Sequence, residues 1–257
     1  MVRLLPARDD SDFGLNFAER DVYRALAEQL PATTTVIHDY SYASFLDGRF
    51  KDGQSDFIVV IPGIGTCFLE VKGTRRFKYT DGRWHRYEGD RAVKIDDPFK
   101  QACQTKHDVV DLLQAHLNWD FFPGKYAHVV VYPRGILVDD QMPASTDRRL
   151  LITKPELPQL GERIVLAIQN ATTQPVPKLS GPAAEELIAA LTTGGDLVPL
   201  LTDDVDADAA GIECLTRDQK RAWTSIAEAR RVIVHEALSE LLLASQIRVR
   251  QKKTTPV

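Results

Sequence analysis

The chain has 257 residues, 44% hydrophobic and 26% charged, so disorder is not its default state and its length suits one large domain, or one domain with a smaller annex. No apolar run approaches the ~20 residues of a membrane span, and residues 1–12 lack the basic-then-apolar pattern of a secretory signal, so a cytoplasmic chain with no membrane contact is expected. Three cysteines without a CxxC pair argue against a disulfide framework and a zinc knuckle, and the net charge of −4 conceals a strong asymmetry.

Asn16 is a cap residue with Glu19 three positions on, and Val22, Leu26 and Leu30 continue at helical spacing, which predicts a helix ending at Pro31. Residues 33–39 read as a strand. After a connection containing glycine and lysine, residues 56–61 form a β-branched run, Pro62-Gly-Ile-Gly65 is turn chemistry, and residues 66–72 are a second run, together a hairpin. A basic, aromatic-rich excursion follows, with Asp81-Gly82 as a tight turn. Asp97-Pro98 caps a long helix whose apolar face carries Phe99, Cys103, Val110, Leu113 and Leu117. Residues 128–132 read as a buried strand, and 150–153 and 164–168 as further strands. The order of elements predicts a mixed sheet with helices packed on it. Residues 172–177 read as a linker, which divides the chain into 1–175 and a small helical C-terminal region, 176–257, with helices at 182–191, 216–229 and 236–245.

Residues two apart in a strand share a face, so Glu70 and Lys72 project together while Cys67, Leu69 and Val71 point the other way. Asp56 lies on the partner strand. It stands opposite Glu70 or Lys72 only if the connecting loop has an odd length or a bulge intervenes; a clean four-residue loop at 62–65 would separate them. Two carboxylates, the main-chain carbonyl of Val71 and a lysine suit phosphodiester hydrolysis. That chemistry needs oxygen ligands for a hard divalent cation, an activated water, and positive charge near the phosphate. Mg²⁺, or Mn²⁺ in its place, is the expected ion. The plain alternative is a surface salt bridge. Glu19 shares the apolar stripe of the first helix, and its alternatives are a metal or lysine partner on one side and simple helix capping on the other.

Charge is uneven along the chain. Residues 72–106 carry ten Lys or Arg against five Asp or Glu, and residues 179–216 carry eight acids and no base. In the basic excursion Arg75, Arg76, Lys78, Arg83 and Arg86 alternate with Phe77, Tyr79, Trp84 and Tyr87. This offers phosphate contacts and stacking faces, Trp84 among them, or else a hairpin with its aromatics turned to the core.

Glu19, Gln54-Ser-Asp56-Phe-Ile-Val-Val, Phe68-Leu-Glu70-Val-Lys72-Gly and Asp97-Pro-Phe-Lys-Gln101-Ala, in this order, resemble the nuclease-related (NERD) domain family of the PD-(D/E)xK phosphodiesterase superfamily. The resemblance covers about residues 13–132. It implies a restriction-endonuclease-like αβββαβ core and a DNA substrate, with Asp56, Glu70 and Lys72 at the catalytic positions and Glu19 and Gln101 as supporting polar groups. The insertion at 74–96 is longer and more basic than the family pattern. Residues 214–234 are similar to the segment leading into the nucleotide-binding strand of superfamily 1 helicases, but the phosphate loop that should follow Val234 is replaced by His235-Glu-Ala-Leu-Ser. Two readings thus stand beside each other: a metal-dependent DNA endonuclease serving defence or repair, and a catalytically silent DNA-binding module that recruits a helicase. A helicase, another defence or repair subunit, or a second copy of the chain are the expected partners. A scaffold with an acidic tail is a third reading.

Overall fold

The architecture comes from a computed structural model, which describes residues 1–46, 49–139 and 141–192. The expected helices at 216–229 and 236–245 and the helicase-like segment lie outside these residues. Ten strands are present among the described residues: β1 (Arg3–Leu5), β2 (Thr35–Leu46), β3 (Arg49–Ile61), β4 (Gly65–Val71), β5 (Arg76–Thr80), β6 (Arg83–Glu88), β7 (Arg91–Ile95), β8 (Lys125–Tyr132), β9 (Ile136–Leu137) and β10 (Leu151–Thr153). The α-helices are α1 (Phe17–Gln29), α2 (Pro98–His116), α3 (Leu160–Gln169) and α4 (Gly181–Thr192).

The main sheet has six strands in the order β1-β2-β3-β4-β8-β10, with β2, β3 and β4 antiparallel to their neighbours in turn and β1, β8 and β10 joined in parallel. The series α1, β2, β3, β4, α2, β8 is the expected αβββαβ core, and the 74–96 insertion between β4 and α2 folds as β5, β6 and β7. With β9 these strands make a second sheet, ordered β7-β6-β5-β9. β1, only three residues long, carries no periodicity that the sequence could have revealed.

Helices cover both faces of the main sheet, which is why β4 is buried along its whole length and reads as a continuous apolar run. On one face Val22 and Leu26 of α1 and Ile164 and Ile168 of α3 pack on Phe57, Val59, Cys67, Leu69, Val129 and Val131. The other face takes α2 and α4, with Val109, Leu113, Leu187 and Ile188 against Ile58, Val60 and Phe68. Each fully buried side chain of this size contributes roughly 1.5–3 kcal/mol. α4, beyond the 172–177 segment, packs on the same body as the rest.

Two expectations change. Residues 164–168 are helical, not a strand: Leu160, Ile164, Ala167 and Ile168 recur at the four-, three- and one-residue steps of one helix face, and with Gly161 they are the buried residues of α3. β2 and β3 also run past the expected strands, staying paired from Tyr40 with Ser55 onward to Leu46 with Arg49. The polar residues of that extension hide it from a pattern that looks for apolar alternation.

Candidate active site

The β3–β4 hairpin decides whether the acidic residues meet. Ile61 pairs with Gly65 and Phe57 with Leu69, so the loop is the three residues Pro62, Gly63 and Ile64, an odd number, and the register carries Asp56 opposite Glu70. Gly65 belongs to the strand. A Cβ there would stand 2.2 Å from the carbonyl oxygen of Lys125, so only glycine lets β4 begin against β8 at this point.

Asp56 Oδ2 accepts a 2.6 Å hydrogen bond from the Val71 main-chain N–H. Lys72 Nζ donates to Glu70 Oε1 at 2.6 Å and to Gln101 Oε1 at 3.0 Å. The α2 cap that fixes Gln101 is the expected one: Asp97 accepts from the Phe99 and Lys100 N–H groups and Pro98 opens the helix. Glu70, Lys72 and Gln101 are thus joined by hydrogen bonds, and Asp56, held by the main chain of β4, stands beside them where β3, β4 and the start of α2 meet.

The electrostatics of this set are costly. Burial, and then the neighbouring Glu70 carboxylate, push the Asp56 carboxyl up to about 7, against a weaker pull from the Val71 N–H. Glu70, only 4% exposed, is also raised by burial, opposed by its hydrogen bond to Lys72. Two carboxylates share one lysine, so a site with oxygen donors and excess negative charge results.

Glu19 meets neither lysine nor another carboxylate directly. Asn16 caps α1 by accepting from the Glu19 N–H, and its side-chain amide donates to Glu19 Oε1. Glu19 Oε2 lies 2.9 Å from Nε2 of His38, a buried residue of β2 among Phe13, Tyr23 and Phe57. Burial raises the Glu19 carboxyl, but the hydrogen bonds from His38 and Asn16 outweigh it and hold the group below its usual value. Its charge still reaches Asp56 and Glu70, raising both. The capping contact with Asn16 is therefore present, and the partner of the other carboxylate oxygen is histidine rather than the expected lysine.

Residues 15–133 match the family model of the nuclease-related domain. This segment is a nuclease-related (NERD) domain, of the general PD-(D/E)xK kind. The match runs from the start of α1 to just past β8 and includes the insertion. No curated protein and no solved structure matches the chain.

In this nuclease-related domain a cleft of about 500 Å³ opens beside Lys72 and Gln101, walled on the other side by Arg86, Lys94, Ile95 and Asp96 of the insertion. Of the insertion residues expected to contact nucleic acid, Arg75, Arg76, Arg83 and Arg86 are exposed and Lys78 is half-buried. Trp84 is a correction. It is 2% exposed and packs on Phe77, Tyr79 and Phe99, so its ring has no free face for a base. Among the described residues no three His, Cys, Asp or Glu side chains form a metal-binding group. The donors here are two side-chain carboxylates with main-chain oxygen, a set that fits Mg²⁺ because this ion keeps several of its waters.

Sequence reasoning missed His38 and Lys94. His38 had one available signal, its place in a strand whose next neighbours across β3 include Phe57, adjacent to Asp56. Lys94 had none beyond charge.

Proposed function

We propose that this domain is a metal-dependent deoxyribonuclease, cleaving phosphodiester bonds internally, with Mg²⁺ as its ion and Mn²⁺ as a substitute. The observation that carries the reading is the placement of Asp56 opposite Glu70, with Glu70 tied to Lys72, which itself lines a cleft together with Arg86 and Lys94. Carboxylates raised by burial, Asp56 further by the Glu70 charge and Glu70 by that of Glu19, are unfavourable in isolation and favourable around a cation, which supports a site built for a ligand rather than for stability.

Asp56, Glu70 and the Val71 carbonyl would hold the ion. The carbonyl qualifies because the two main-chain groups of one residue in an extended strand point to the same side, and the Val71 N–H already points to Asp56. The ion, when bound, supplies charge neutralisation on the phosphate and a water of lowered pKa. The protein's own contribution is orientation. Glu70 and Gln101 hold the Lys72 ammonium from two sides, which leaves a fixed positive charge for a phosphate oxygen entering the cleft. Arg86, which also lines the cleft, would offer a second phosphate contact. Asp56 must lose its proton to act as a ligand, so activity should rise with pH as its carboxyl, held at about 7, ionises.

Service in defence against foreign DNA or in repair, beside a helicase subunit, is the setting the family resemblance suggests. The test is cleavage of supercoiled, linear and single-stranded DNA by the wild type and by Lys72→Ala, with Mg²⁺, Mn²⁺ and chelator in parallel. Metal-dependent cutting lost in the variant is the expected result. Retention of DNA without cutting under any metal would favour the silent, helicase-recruiting module.

A further inference from the structure

The second sheet has two chemically different faces. Its register pairs Phe77 with Arg86 and Tyr79 with Trp84, and Trp84 with Ile95, so these residues share the face that packs on the main body. The opposite face carries Arg76 and Lys78 from β5, Arg83, His85 and Tyr87 from β6, and Lys94 from β7. No carboxylate of these three strands lies on it. Glu88 belongs to the inner face, where it holds Arg86 at 2.6 Å; Asp90, in the β6–β7 turn, approaches Arg76 only at 4.0 Å. Lys78, His85 and Lys94 are aligned across three neighbouring strands, a row of about 10 Å at the usual strand spacing. Lys94 also lines the cleft that holds Lys72, so the outer face and the candidate active site are continuous.

The aromatic rings decide what this face can read. Phe77 and Trp84 are buried on the inner side. Tyr87 is the aromatic residue of the outer face, and it is already covered, by the Arg76 guanidinium at 4.6 Å and the Lys78 ammonium at 5.7 Å from the ring centroid. A surface that binds single strands combines cations with open stacking faces. This one has the cations without the open rings. A double helix, with one phosphate charge per ~1.7 Å of axis and its bases stacked inside, needs only the cations.

We propose that the outer face of the second sheet is a docking surface for double-helical nucleic acid that contacts the phosphate backbone alone and leads the duplex over Lys94 into the cleft. This deepens the nuclease reading by naming the form of its substrate, and it rests on that reading only for what happens in the cleft. Binding here carries no base preference, and its strength falls steeply with salt.

The experiment measures binding of the full chain to a fluorescent duplex of about 20 base pairs and to the single strand of the same length by anisotropy. A salt series is run in the presence of chelator, so that cleavage plays no part. The wild type should bind the duplex more tightly than the strand and bind duplexes of unrelated sequence alike. The combined variant Arg76→Gln/Lys78→Gln/Lys94→Gln should keep its melting temperature and lose about 2 to 3 from the slope of log K against log salt, at about 0.9 per lost phosphate contact. Arg149→Gln, whose guanidinium is held by Asp147 outside this sheet, should leave the slope unchanged. An unaltered slope in the triple variant would overturn the proposal, as would tighter binding to the single strand. So would equal competition by an acidic polypeptide, which would mark the face as a protein-docking surface. Duplex binding that depends on this face while the wild type cuts nothing with any metal would instead sink the hydrolytic reading and leave the docking surface intact.

Discussion

The two sheets of this protein place charge in opposite ways. In the main sheet the acids of the candidate site are drawn inward: Glu70 sits in a strand buried along its whole length, and the half-buried Asp56 faces it across the hairpin. In the second sheet the face toward the main body is aromatic, with Phe77 stacked on Tyr132 of β8 and tilted against Trp84, and the opposite face carries cations without a strand carboxylate. Burial is what separates a site from a surface. A carboxylate pair kept from water costs stability and so is explained by chemistry, whereas an exposed cation costs almost nothing and acquires meaning only through the sign and alignment of its neighbours.

The largest effect expected from breaking this contrast is on catalysis. Lys72→Ala removes the cation whose charge acts on both Asp56 and Glu70, and cleavage should fall by about a thousandfold, in the range seen when a transition-state donor is deleted. Its side chain is partly exposed, so circular dichroism and melting temperature should change little. A collapse of the fold would show that the lysine is structural. The mirror experiment in the second sheet is Trp84→Ala, which should lower stability by about 3–5 kcal/mol, as for other buried large aromatics, with the β5–β7 sheet losing its protection in hydrogen exchange before the main sheet does. Unchanged stability would mean that Trp84 is free to leave the core, and would reopen its role as a stacking residue.

The same contrast explains what is legible in the sequence. The hairpin, the two helix caps at Asn16 and Asp97, and the Asp81-Gly82 turn are local, and the residues that make them are adjacent in the chain. Asp81 and Gly82 both take the positive φ that their types favour. The alternation of Glu70 and Lys72 against Leu69 and Val71 is equally direct. The meeting of Asp56 with Glu70 is readable only as a condition on loop parity, because one residue more or less in the turn reverses the face of the whole strand. The 164–168 segment passes for a strand because a short apolar run fits either period, and its helix partner Leu160 lies outside that window. The Glu19–His38 contact joins residues of different elements, with no spacing to announce it.

A third, smaller effect tests whether the buried acids are indeed in opposition to stability. The Asp56 carboxyl, ordinarily near 3.8, is raised to about 7 by burial and by Glu70. Between those values the folded chain holds a proton that the unfolded chain has released, so stability should fall as pH rises from about 4 to about 7 and level off above. Asp56→Asn keeps an oxygen for the Val71 N–H and removes the titration. It should match the wild type near pH 4 and exceed it at about pH 8 by at most about 4 kcal/mol, each pH unit of that window contributing about 1.4 kcal/mol. Mg²⁺ should raise the melting temperature of the wild type in the same alkaline buffer and leave the variant's unchanged. A variant less stable than wild type there would mean that Asp56 is satisfied as it stands.

The smallest effect concerns the one buried histidine that the main sheet sets beside its acids. His38 holds Glu19 through Nε2, and its Nδ1 is buried without a hydrogen-bond partner among the described residues. A residue kept in the core with one polar atom unsatisfied is doing something that an apolar residue of its size would not, and holding Glu19 is the function its geometry offers. His38→Leu removes that hydrogen bond while relieving the unsatisfied nitrogen, so the net change in stability should be under about 1 kcal/mol. Without His38, Glu19 keeps only the Asn16 hydrogen bond against burial and its carboxyl rises, so its negative charge weighs less on Asp56 and the acidic limb of the pH–rate profile should move to lower pH. His38→Gln, whose amide can donate to the same oxygen, should return the limb toward its wild-type position. If Leu and Gln at this position behave alike in the profile, the contact is packing and Glu19 is positioned by Asn16 alone.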